Sequence, residues 1–199
     1  MMKENVLIGA GGFAREIKAH INNLEIKCFV DDEYFVTNDD NIHKLSDFNP
    51  QTMNALIAVG NPNDRKRLVE RMPSDTEYFT YIHPSAQILD DNIYIGEGSI
   101  IAANCILTTN IKIGKHAHLN LSSTVGHDCV IGDYFTTAPG AKISGNCNIG
   151  ECVYFGTNAS VREKITICDD VTVGLNAGVV KSIDEPGIYV GVPSKKLSK

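Results

Sequence analysis

The chain has no apolar run approaching about 18 residues, which excludes a membrane-spanning helix. None of its six cysteines forms a Cys-x-x-Cys pair, so neither a zinc ribbon nor a thiol redox motif is indicated. Positive charge is not in excess. Eighteen Lys and Arg against 24 Asp and Glu leave a net charge of -6, which argues against a nucleic-acid partner. The amino terminus, Met1-Met2-Lys3-Glu4-Asn5, runs straight into a strand pattern and reads as no leader peptide. These absences predict a cytoplasmic chain of one or two domains with no membrane partner. The Asn-x-Ser triplets at Asn120 and Asn158 then carry no glycosylation signal.

What is present is a period. From Leu89 to Val179, sixteen positions lie six residues apart, and all but Thr137 are aliphatic or aromatic. A period of six fits neither a helix nor an alternating strand. It is the hexapeptide repeat of a parallel β-helix. Three hexads close one triangular coil, so residues 18 apart stack. Ile95, Ile113, Ile131, Ile149 and Ile167 show that spacing directly. The residue two before each inward position is often small, as at Cys105, Ala117, Ser123, Cys129, Ala141, Cys147, Ala159 and Ala177. A reduced Cys there acts as a small hydrophobe. Gly, Asp and Asn allow the corner dihedrals that other residues resist. Outer side chains are then held about 4.8 Å apart from coil to coil.

Residues 1–82 obey a different grammar. Val6-Leu7-Ile8 reads as a buried strand, followed by Gly9-Ala10-Gly11-Gly12 and a helix from Phe13 to Asn22. Strands follow at 27–30 and 55–59, then a basic helix from Asp64 to Arg71 and a last strand over 77–82. Such alternation implies a parallel sheet. Gly9-x-Gly11-x-x-Ala14 after a strand, with an acid 22 residues past Gly9, fits a dinucleotide fingerprint. Its glycines let backbone N–H groups approach a diphosphate. There is room for only one mononucleotide half, so a nucleoside diphosphate is preferred to NAD. Asp31 or Asp32 is then placed to meet a ribose or base. The bland alternative is a tight strand-to-helix turn.

The two halves together resemble the NeuD/PglD-like sugar O-/N-acyltransferases of bacteria. The likeness rests on Gly9-Ala10-Gly11-Gly12-Phe13, Phe29-Val30-Asp31-Asp32, Ala58-Val59-Gly60-Asn61, Gly126-His127-Asp128-Cys129-Val130-Ile131-Gly132-Asp133 and Val190-Gly191-Val192-Pro193-Ser194-Lys195. It implies an α/β Rossmann-like half domain over 1–82, followed by a left-handed parallel β-helix over 83–199. It also implies a homotrimer that uses acetyl-CoA and no metal. The implied reaction is acetyl transfer to the 4-amino group of a UDP- or dTDP-linked 4-amino-4,6-dideoxy sugar.

The residues support that chemistry on their own terms. Acyl transfer from a thioester needs a base for the attacking amine and a donor for the tetrahedral oxyanion. His127 follows the inward Val125 by two residues and so faces outward. Gly145 lies 18 residues on, one coil further along the same face. The resemblance makes His127 the base, Asp128 its supporting acid and the Gly145 amide the oxyanion donor. It assigns Thr136, Gly145, Thr157 and Leu175 to acetyl-CoA. It assigns Gly11, Gly12, Phe13, Asp31, Asp32 and Gly60 to the nucleotide sugar. Thr136 stands where relatives often carry a second His, and a hydroxyl cannot share the proton.

Three alternatives stay open. One is O-acetylation of a sialic acid or another sugar. Another is a non-catalytic trimeric nucleotide-binding scaffold. The third is a trimer-interface zinc site using His116 and His118 with His127 from a neighbouring turn; His116 and His118 are two apart and expected on the exterior, and the spacing is not that of hexapeptide carbonic anhydrases.

Overall fold

The structure is a computed structural model that describes residues 3–35 and 39–197. The chain divides into two compact units, Met1–Thr80 and Tyr81–Lys199. In the first unit, β1 (Glu4–Ile8), β2 (Cys28–Val30), β3 (Ile42–Lys44), β4 (Met53–Ile57) and β5 (Glu77–Tyr78) form a parallel sheet. Its strand order is β3-β2-β1-β4-β5. Helices α1 (Gly12–Ile21) and α2 (Pro62–Arg71) complete the unit. β1 and β4 carry the fully buried Val6, Leu7, Ala55, Leu56 and Ile57, as expected of strands covered on both faces. β3 was not legible, because Ile42-His43-Lys44 has no apolar run; it pairs with β2 at the sheet edge. The strand expected over 77–82 is two strands. Glu77–Tyr78 pairs with β4, whereas Tyr81–Ile82 pairs with Ile100–Ile101 of the solenoid. Two ladders cannot share one strand edge, so the chain changes sheets at Phe79-Thr80.

The second unit is a left-handed parallel β-helix. Its three faces are stacks of short strands. The first face runs from Gln87–Ile88 to Gly178–Val179, the second from Ile93–Ile95 to Thr166–Ile167, and the third from Tyr81–Ile82 to Lys195–Lys196. The register is 18 from Ile93 to Val179, as in Thr124↔Lys142 and Val130↔Asn148, whereas the first pairings of the first and third faces step by 19, as in Ile88↔Leu107 and Ile82↔Ile101. The inward residues from Ile101 to Val179 are buried. Thr137 is buried too, and its hydroxyl is satisfied by the Asn120 N–H and the Ser123 hydroxyl, each at 2.8 Å. Leu89 departs from expectation: it is 59% exposed, because the first pairing steps by 19 and sets Ile88, not Leu89, opposite the inward Leu107, and a slip of one residue turns the side chain outward.

The corners explain the period. From Gly98 to Asn176 every sixth residue has positive φ, and only Gly98 and Gly140 among them are glycine. The left-handed region strains most L-residues, with Asn and Asp the most tolerant. Backbone bonds between coils hold these residues there. The N–H of Asp128 reaches the Thr109 carbonyl at 3.1 Å, and that of Asn146 reaches His127 at 2.7 Å.

His116 and His118 are not exterior residues. Both are buried, 3% and 1% exposed. They also occupy different places in the hexad. His116 is a corner residue with φ 53°, stacked on the Tyr134 ring at 5.4 Å, and His118 lies in a strand of the third face.

The solenoid core should be sensitive to volume. Phe155 is fully buried and meets Phe135 edge-on at 5.7 Å. Phe155→Ala is expected to destabilise the protein by about 3–5 kcal/mol, read as a lower urea midpoint.

Candidate active site

His127 stands on the corner between the first and second faces. Thr124–Val125 precedes it and Val130–Ile131 follows it. Asp128 is the left-handed corner residue, φ 59°. That reversal leaves the His127 side chain outside the prism, 56% exposed. Its Nδ1 lies 2.7 Å from Asp128 Oδ2. The Asn146 amide nitrogen is 3.5 Å from the same ring nitrogen. Asp128 accepts a second bond, 2.6 Å, from Asn110 Nδ2. The Asn110 bond first, and the His127 ring after it, hold the Asp128 carboxyl below the usual carboxylate range. An ionised Asp128 facing Nδ1 favours the proton there and leaves Nε2 as the basic nitrogen.

Gly145 completes this corner. A Cβ built on it would lie 2.6 Å from His127 Nε2 and 2.7 Å from Cε1, so the imidazole sits directly against its Cα. Gly126, one coil earlier, is constrained in turn: its Cβ would lie 2.7 Å from the Gly145 nitrogen. Among the described residues the Gly145 N–H has no backbone acceptor. His127, Asp128 and Gly145 are therefore brought together as the spacing predicts.

The other expected acyl-donor positions lie elsewhere on the prism. Thr157 and Leu175 occupy the corner between the third and first faces. Both are exposed, Leu175 to 72%. They stack in successive coils; a Cβ on Gly156 would meet the Leu175 nitrogen at 2.6 Å. Thr136 lies in a strand of the third face, 4% exposed, and its hydroxyl donates to the Tyr134 carbonyl at 3.4 Å. Within one chain none of these three reaches the His127 corner.

A separate cavity of about 540 Å³ occupies the first unit. It opens at the carboxyl ends of β1, β2 and β4, where ligands bind in parallel sheets. Gly9, Gly11 and Asp31 line it. Gly9 has φ 112°, and its Cβ would stand 3.0 Å from the Ala58 carbonyl oxygen, so glycine is required there. Gly11 caps α1 with no side-chain bond, and no acid occupies the helix's first turn. Its orphan N–H groups face an anion favourably. Gly12, Phe13, Asp32 and Gly60 do not line this cavity. Asp32 turns to the Ser46 hydroxyl at 2.8 Å. The Gly60 carbonyl accepts from buried Arg65 at 3.2 Å, alongside Val59 at 2.8 Å.

Two arginines of α2 were missed as site residues. Arg67 and Arg71 line the cavity with Asp64 and Leu68. Arg71 grips Asp31 with two bonds, 2.9 and 2.5 Å. The signal was present, since residues 64, 67, 68 and 71 share one helix face.

Comparison with known proteins places the chain. Residues 5–72 match the PglD N-terminal domain. A GDP-perosamine N-acetyltransferase of Escherichia coli O157:H7 is 33% identical over 150 residues, 68% of this chain and 67% of that protein. WeeI from Acinetobacter baumannii AYE superposes with a TM-score of 0.86 at 33% identity, covering 99% of this chain and 100% of that one. The acetyltransferase domain of PglB from Neisseria gonorrhoeae FA1090, in complex with acetyl coenzyme A, gives 0.84 at 26% identity over 99% and 100% of the chains. The fold and the relatives are those of an acyl-CoA-dependent sugar acyltransferase, with acetyl-CoA as co-substrate. The chain belongs to the NeuD/PglD-like sugar acyltransferase family.

The contact between Gly145 and the imidazole is directly testable. Gly145→Ala has no positive φ to strain, and the ring it would strike can swing away. Turnover is expected to fall about 100-fold, since small displacements of a catalytic group are costly. The thermal midpoint should move by only a few degrees. Unchanged turnover would show that the ring's seat on Gly145 is immaterial.

Proposed function

We propose that this enzyme transfers the acetyl group of acetyl-CoA to the 4-amino group of a nucleotide-linked 4-amino-4,6-dideoxy sugar. One observation carries the reading: His127 is exposed, tied through Nδ1 to Asp128, and aimed through Nε2 across Gly145. The sugar amine attacks the thioester carbonyl carbon, forming the C–N bond. Its proton passes to His127 Nε2. Asp128 stabilises the imidazolium that results. The Gly145 N–H donates to the oxyanion. Collapse of the tetrahedral intermediate breaks the C–S bond, and the departing thiolate takes the proton from His127. The chain itself supplies no covalent nucleophile.

The cavity of the first unit holds the nucleotide in this reading. Gly11 and the open start of α1 offer N–H groups to the diphosphate. Arg67 and Arg71 are ion-paired with Asp64 and Asp31, so in this reading they exchange those carboxylates for the diphosphate, which frees Asp31 for the base or ribose. Sequence alone favoured uridine or thymidine; the name of the E. coli relative adds guanosine. The acyl donor's arm is assigned to Thr157 and Leu175. Because they occupy a different corner from His127, a complete site needs the His127 corner of one copy and the Leu175 corner of another. That separation supports the expected homotrimer. Among the described residues no helix is long and apolar enough to cross a membrane.

His127→Ala is expected to lower kcat about 10²- to 10⁴-fold, with the oligomer unchanged by size-exclusion chromatography with light scattering. Near-normal turnover would remove His127 from the mechanism. Calorimetry with UDP, dTDP, GDP and acetyl-CoA should show acetyl-CoA binding and selective binding of one nucleotide. Acetyl-CoA binding with none of the three would favour O-acetylation of a free sugar. Binding of neither would favour a scaffold.

A further inference from the structure

The corner that carries His127 also carries a polar ladder. Asn92, Asn110, Asp128 and Asn146 are spaced 18 residues apart. Asn110, Asp128 and Asn146 share the left-handed conformation, φ 50°, 59° and 58°. Their side chains therefore follow one another from coil to coil. Asn92 Nδ2 lies 3.5 Å from Asn110 Oδ1. Asn110 Nδ2 donates to Asp128 Oδ1 at 2.6 Å. Asp128 Oδ2 meets His127 Nδ1 at 2.7 Å. The ladder has a direction. Turning the Asn110 amide over would set its oxygen against a carboxylate and its NH₂ against that of Asn92.

Asp128 needs such a hold. Its side chain is 44% exposed, and among the described residues Asn110 and His127 make its only side-chain bonds. A rival waits at the same ring nitrogen, because Asn146 Nδ2 stands 3.5 Å from His127 Nδ1. With its nitrogen toward the ring, as here, Asn146 selects the opposite tautomer from Asp128. An acceptor at Nδ1 keeps the proton there and leaves Nε2 basic. A donor at Nδ1 puts the proton on Nε2, where it cannot act as a base. If Asp128 swings outward, Asn146 is left to decide.

We propose that Asn110 is a positioning residue for acyl transfer: its amide pins the Asp128 carboxylate against His127 Nδ1, ahead of Asn146, and so fixes the tautomer with a basic Nε2. Asn110 touches no reacting atom. The proposal rests on His127 being the base, and the test separates the two claims.

The informative variant is Asn110→Gly, which removes the amide and leaves the left-handed corner unstrained. It is compared with Asp128→Asn, the double variant and His127→Ala in the full chain, with kcat, the KM for acetyl-CoA and the thermal midpoint read for each. Asn110→Gly is expected to lower kcat about 10- to 100-fold, with KM changed less than about twofold. The double variant should be no slower than Asp128→Asn alone, because both changes break one linkage. Adding Asn146→Gly to Asn110→Gly should recover part of the lost kcat. Normal turnover of Asn110→Gly beside an inactive His127→Ala would overturn the role of Asn110 and leave the base in place. Losses that multiply in the double variant would also overturn it. An active His127→Ala would overturn both. Should Asn110→Gly fail to fold, Asn110→Asp keeps the shape, lacks the donor, and is expected to lose at least as much turnover.

Discussion

The second unit depends on one backbone constraint, the 18-residue register of parallel hydrogen bonds between coils. Val130 pairs with Asn148, and the same step repeats on every face from Ile93 to Val179, giving way to 19 at the first turn and 16 at the last. A solenoid can hold that register only if each corner consumes the same number of residues. The left-handed residue at every sixth position does this. Asn and Asp take the conformation readily, but His116, Tyr134, Cys152 and Lys164 do not favour it. They are held there by N–H bonds to carbonyls of the neighbouring coil, such as His116 to Glu97 at 2.8 Å and Tyr134 to Lys115 at 2.8 Å. Local preference yields to the ladder.

The His127 corner is a by-product of the same rule. Because Asp128 must reverse the chain, the residue before it is turned outward and the residue one coil on lies beneath it. That puts His127 on Gly145 without any special loop. The corner also aligns the polar residues of successive turns, so Asn110, Asp128 and Asn146 form a row whose members can hold or compete for the imidazole. Precision comes from the rigidity of stacked strands, which fix side-chain spacing better than a mobile loop would. Glycine is required at Gly126 and Gly145 for close approach, not for backbone freedom, since neither has positive φ.

The first unit solves a different problem with different means. Its strands end together at one edge, and the turns after them form a cavity walled by the glycine loop on one side and α2 on the other. The cavity combines an uncapped helix start with two arginines and three acids, Asp31, Glu33 and Asp64. Arg71 pairs with Asp31 and Arg67 with Asp64, so the open backbone N–H groups at the start of α1 are the cavity's main attraction for an anion. Buried Arg65 serves the fold by tying down the carbonyls of Val59 and Gly60.

The sequence by itself determined the solenoid, its coil length and the stacking of His127 on Gly145, because a period of six over sixteen positions leaves no other regular structure, and residues 18 apart must stack. His127 and Gly145 were legible for that reason. Cys105, Cys129 and Cys147 were legible as core residues for the same reason, and burial pushes the Cys105 thiol up to about 11. In the first unit the glycine loop could be read, because Gly9 answers to a local dihedral. Only the tertiary structure decided the rest. The partition of Asp31 toward Arg71 and Asp32 toward Ser46 depends on which way a short turn faces. The edge strand Ile42–Lys44 exists because β2 offers it a partner, not because its sequence demands it. The burial of His116 and His118 reflects what covers them. The Asn110 bond to Asp128 requires side-chain directions that a spacing of 18 permits but does not choose. Periodic backbone order is written into the sequence repeat; the aim of a particular side chain is settled by its neighbours in space.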